Sequence, residues 1–127
     1  MTKLTVGITL MVFILLVGTG YGYWMVISSA EPLLELLVEL QTAVRRENWD
    51  TAKEIVLSLE KHWEKVENIW TPLIDHSQVN ELENSFTRLG ELVRLESKDD
   101  ALAELAVSKR LVRNVPNTEM VSFKNVF

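Results

Sequence analysis

The feature that most constrains this chain is an uncharged run of 24 residues, residues 4–27. At about 1.5 Å of rise per residue it makes a helix of roughly 36 Å, enough to cross a hydrocarbon core of about 30 Å with some tilt. Tyr21, Tyr23 and Trp24 cluster near its end, where amphipathic rings favour the boundary between acyl chains and water. A secretory signal is the competing reading, with Lys3 as its charged start and Ser28-Ser29-Ala30 as a cleavage site. The apolar part of such a signal is only about 7–15 residues long, so residues 1–27 are expected to be an uncleaved anchor in the lipid bilayer. Gly18 and Gly22 have G-x-x-x-G spacing and are candidate interaction residues, where small side chains let a partner helix or a second copy approach closely.

Orientation follows from the basic residues. Lys3 precedes the run, and the next basic residue is Arg45, after Glu31, Glu35 and Glu39. Excess positive charge stays on the cytoplasmic side, so the expectation is a single-pass cell-membrane protein with a cytoplasmic N-terminus and an extracytoplasmic domain. Beyond residue 27 there are 12 basic against 18 acidic residues, a net charge of −6. The largest basic clusters are pairs, Arg45-Arg46 and Lys109-Arg110, too sparse to follow a phosphate backbone, so no nucleic-acid partner is expected. The absence of cysteine removes thiolate-ligated zinc and thiol catalysis.

The remaining residues are enough for one core without disulfides or a structural metal. Their apolar periodicity is helical throughout. Ser28 and Glu31 have capping-box spacing ahead of a first bundle helix with Pro32 in its opening turn and Leu33, Leu37, Leu40 and Val44 as its stripe. Leu34, Leu36 and Val38 widen that stripe toward two neighbours or the membrane surface. Asn48 or Asp50 starts a second helix carrying Ala52, Val56, Leu59, Trp63, Val66 and Trp70. Its opening is similar to a tetratricopeptide hairpin, but no 34-residue repeat follows. Thr71-Pro72 closes it. Asp75 caps a third helix through Val79, Leu82, Phe86, Leu89 and Val93, and Ser97 with Asp100 caps a fourth. Leu102, Leu105, Val112 and Val115 face inward there, with Pro116 as the stop. The fold class is therefore all-α: an N-terminal transmembrane helix, a four-helix antiparallel bundle over residues 28–115, and an apolar C-terminal tail, residues 116–127, docked on it.

Chemistry-bearing residues are few. Neither His62 nor His76 has a glutamate three residues before it, so the di-metal bundle motif is missing and no metal or cofactor is expected. Asp75-His76 places a carboxylate beside an imidazole at a helix start, where helix capping is the simpler role and no triad motif accompanies the pair. Trp63 and Trp70 lie on the core stripe, and the Glu31, Glu35, Glu39 face reads as solvated. The tail carries Met120, Val121, Phe123, Val126 and Phe127, too apolar for a frayed end. The chain is expected not to be an enzyme but an accessory or interaction subunit of a membrane or envelope complex; the alternative is an extracytoplasmic small-molecule sensor acting through a membrane partner.

Several pieces together resemble a small bacterial family, domain of unknown function 4363. They are the N-terminal span, the helix bearing Trp63 and Trp70, Asp75-His76, the turn Ser97-Lys98-Asp99-Asp100, and the ending Ser122-Phe123-Lys124-Asn125-Val126-Phe127. The family typically ends in Asn-Ile-Phe, so Val126 departs from it. The resemblance implies a bacterial cell-membrane protein, mainly of Gram-positive and often spore-forming lineages, frequently encoded near other small membrane proteins. It implies no activity, and adds Asp75, His76, Phe123, Asn125 and Phe127 to the candidate interaction residues.

Overall fold

The structure, a computed structural model, describes the backbone of residues 2–126 and the side chains of residues 2–115. Four helices follow one another: α1 (Thr2–Arg45), α2 (Trp49–Trp70), α3 (His76–Arg94) and α4 (Lys98–Val126). Among the described residues there are no strands. Helix α1 packs on α2 and α4, and α3 on α4 and, less extensively, α2, which closes an up-down-up-down ring. The all-α class and the N-terminal apolar helix leading into a bundle agree with the sequence.

One boundary differs. The expected break between the anchor and the first bundle helix is missing, and both are parts of α1, whose 44 residues extend over roughly 66 Å. Ser28 does not cap a new helix; its hydroxyl and that of Ser29 both donate to the Met25 carbonyl within α1. Pro32 is internal to α1. A proline inside a helix costs about 3 kcal/mol, but each fully buried aliphatic side chain contributes about 1.5–3 kcal/mol. The buried stripe Val26, Ala30, Leu33, Leu37, Leu40, Val44 runs across the proline without a missed step. Packing on both sides of Pro32 therefore outweighs its local preference.

The other end of the chain carries a second correction. Pro116 does not stop α4, whose helical backbone continues to Val126; an internal proline weakens or kinks a helix without having to end it. Whether the tail docks on the bundle concerns side chains outside those described.

The two turns farthest from the apolar end of α1 are built alike. After α1, Asn48 N–H donates to Ala43 O and Glu47 N–H to Val44 O; after α3, Ser97 N–H donates to Leu92 O and Glu96 N–H to Val93 O. Each is a Schellman closure with a left-handed glutamate, φ 55° at both Glu47 and Glu96. The residue after each glutamate starts the next helix: the Asn48 side chain accepts from Thr51 N–H, and Ser97 Oγ donates to Asp100 Oδ2. A Lys53–Glu96 ion pair of 3.1 Å joins the two turns. The bundle is thus two α-hairpins of one design, packed side by side.

The core follows the predicted stripes on α2 and α3. Trp63 stands edge-on to Trp70 and Phe86, with ring centroids 5.9 and 5.2 Å apart. On α4 the inward set is Ala101, Leu105, Ser108, Val112 and Val115, while Leu102 is only half-buried. Between α1 and α4, Lys109 Nζ donates to Gln41 Oε1, and burial, then Arg113 and Arg45, push the Lys109 pKa below its ordinary value.

Candidate functional site

Residues 2–21 of α1 are all exposed, a stretch of about 20 residues or roughly 30 Å that stands clear of the other helices. Its most apolar window has a mean hydropathy of 2.0 and none of it is buried. This one helix is long and apolar enough to cross a membrane. Tyr21 and Trp24 pair at a centroid distance of 6.1 Å where the free segment ends, and the first core residue, Val26, follows directly.

The bundle end nearest this segment is closed by the α2–α3 turn. Thr71 N–H and Oγ1 both bond Glu67 O, and Leu73 N–H and Ile74 N–H both donate to Trp70 O. Asp75 caps α3, its Oδ1 accepting from Ser77 N–H at 3.2 Å, so the carboxylate of the Asp75-His76 pair is occupied in holding the helix start. His76 is the exposed first residue of α3. Gly22 faces this turn: a Cβ built on it would lie 3.7 Å from Leu73 Cδ2. Gly22, Asp75 and His76, far apart in sequence, are thereby gathered at one end of the bundle. Gly18 lies one helical turn further out with open space around it. Phe123 and Asn125 lie within α4, which returns toward the same end, but their side chains, like Phe127 itself, fall outside those described.

Two features escaped the sequence reading. Ser85 and Ser108 are fully buried and share a hydrogen bond of 2.7 Å between α3 and α4. Ser85 Oγ also donates to Glu104 Oε1, which takes the Arg88 guanidinium at 3.0–3.1 Å. The only hint was the seven-residue gap between Leu105 and Val112, which a buried residue at 108 fills. The second feature is a groove of about 210 Å³ between α2 and α3, lined by Glu60, Trp63, Glu83, Phe86, Thr87 and Arg94. Arg94 closes one side through Glu60 at 2.7 Å and Glu91 at 2.8 Å. Gly90 makes room for that pair, since a Cβ there would come within 3.3 Å of both Arg94 Nη1 and Glu60 Oε1. Nearby, burial together with Glu83 and Glu64 raises the Glu67 pKa above its ordinary value. The Glu60 and Glu83 carboxylates on its rim can attract a cationic group.

No group of three or more His, Asp or Glu side chains in metal-binding arrangement occurs among the described residues. His62 is half-buried, its Nε2 shielded from solvent with no hydrogen-bond partner.

An apolar helix running unbroken into a ring of two α-hairpins, with Gly22, Asp75 and His76 at the junction, defines a small all-helical class of protein. Residues 21–126 match the family described as domain of unknown function (DUF4363), and the chain belongs to that family. The match starts where the free segment ends, so the shared unit is the bundle together with all of α4. No curated protein and no solved structure matched the chain.

Proposed function

We propose that this protein is a non-enzymatic, single-pass accessory subunit of a bacterial membrane or envelope complex. The free segment of α1 anchors it in the cell membrane, and the bundle, on the extracytoplasmic side, binds another membrane or envelope protein. The continuity of α1 carries this reading. Val26 and Ala30 are core residues of the same helix as the apolar segment, so cleavage near Ser28-Ser29-Ala30 would cut into the bundle itself. An anchor without a hinge holds the outer turns at a fixed height, about 36 Å for the stretch from Gly22 to Arg45. Lys3 on one side of the span and Glu31, Glu35 and Glu39 on the other favour the cytoplasmic N-terminus.

Two experiments test the proposal. Thr2→Cys and Leu95→Cys, labelled in intact cells with an impermeant thiol reagent, report the topology: labelling of position 95 alone is expected, and labelling of position 2 alone contradicts it. Photocrosslinking in intact membranes from the exposed positions Val38 and Leu57 is expected to give one reproducible adduct with a second membrane or envelope protein. Recovery of monomer alone, under every growth condition, contradicts the accessory role.

The α2–α3 groove favours a second reading, an extracytoplasmic sensor for a small cationic ligand that passes its signal through a membrane partner. A rise in the thermal midpoint of the full chain with polyamines, absent in Glu83→Gln, supports that reading; no shift opposes it.

A further inference from the structure

We propose that the α2–α3 turn, residues 71–74, inserts into the interfacial layer of the lipid bilayer beside α1, so that the membrane holds the bundle at two points. The inference rests on the anchor reading above and adds a second contact to it.

Height is the first argument. The free segment of α1 matches a hydrocarbon core of about 30 Å. Its end at Tyr21 and Trp24 therefore lies at the acyl–water boundary, the place amphipathic rings favour. Leu73 Cδ2 sits 3.7 Å from the Cβ position of Gly22, which puts the turn at that same level. Because α1 passes from the free segment into the core without a break, bundle and anchor cannot swing apart to lift the turn into water.

The chemistry of the turn is the second argument. No charged residue lies between Glu67 and Asp75. Pro72 and Leu73 are exposed, Leu73 by 42 %, although the next residue, Ile74, is buried. The amides of Thr71, Leu73 and Ile74 and the Thr71 hydroxyl are all satisfied inside the turn, and Pro72 has no amide to satisfy. Entry of residues 71–74 into a poorly hydrated layer thus strands none of their donors. The opposite end of the bundle differs: its turns carry Arg45, Arg46 and Glu47, and Arg94, Glu96 and Lys98. Among the described turns, the one without charge over residues 71–74 lies at the end from which the apolar segment leaves.

The test uses the full chain, which has no native cysteine, reconstituted in phosphatidylcholine vesicles without other protein. Spin labels are placed singly at Leu10→Cys, Leu73→Cys and Leu95→Cys, and collisions with lipid-soluble oxygen are compared with those with a water-soluble nickel chelate. The expected oxygen-to-nickel ratio is highest at position 10 and several-fold higher at position 73 than at position 95. A ratio at 73 equal to that at 95, with position 10 deep in lipid, overturns the inference and leaves the anchor standing. Water exposure at position 10 overturns the anchor reading, and this inference with it.

Discussion

Ser108 interrupts an otherwise apolar stripe on α4, and its partner Ser85 is buried beside the unbroken stripe of α3. Their shared hydrogen bond, tied to Glu104 and Arg88, fixes how the second hairpin pairs. A hydrogen bond contributes about 1 kcal/mol net, while a stranded buried hydroxyl costs about 1–3 kcal/mol. Ser108→Ala and Ser85→Ala are each expected to destabilise by about 1–2 kcal/mol, and the double variant by less than their sum, measured as a denaturation cycle. Glu67 makes the opposite case, a carboxylate held where charge is unwelcome. Burial, then Glu83 and Glu64, raise its pKa above 4.5, so between that value and the raised one the folded chain binds more protons than the unfolded chain. Stability contributed by this group therefore falls as pH rises through that window. Glu67→Gln is expected to raise the thermal midpoint at pH 7 by about 1–2 °C and to match the parent below pH about 4.

At the scale of elements, the repeated turn design makes a sharp prediction. Glu47 and Glu96 adopt φ 55°, a conformation that costs an L-residue about 1–2 kcal/mol and glycine almost nothing. Glu96 holds an ion pair with Lys53, so the cleaner test is Glu47→Gly, expected to stabilise by about 0.5–1 kcal/mol in chemical denaturation. Helix α1 gives another. Were Pro32 in an opening turn, Pro32→Ala would be neutral or slightly harmful. Inside a continuous helix it is expected to stabilise by about 1–3 kcal/mol. The stripes of α2 and α3 were legible because Ala52 through Trp70 and Val79 through Val93 keep one period between strong stop signals, Asn48, Pro72 and Asp75. The α1 junction was misread because Ser28, Glu31 and Pro32 form a good local start signal, which the buried residues on both sides of it outweigh. Ser85 and Ser108 were illegible for a related reason, since a hydroxyl enters a core only when the facing helix supplies its partner, and that pairing is long-range.

For the whole molecule, one rigid element links an exposed apolar segment to a packed bundle, and the family match covers the bundle together with all of α4. The candidate residues were partly legible. Gly22, Asp75 and His76 lie at one end, a nearness that depends on how the hairpins pack and that no local motif encodes. Asp75 proved to be a cap, as its spacing implied. Both roles of α1, anchor and core helix, require it to remain intact. The most direct test is the intact mass of the protein recovered from carbonate-washed membranes. A membrane-bound chain that retains the apolar segment is predicted; a chain starting near Ala30, or recovery of the protein in the soluble fraction, would contradict it.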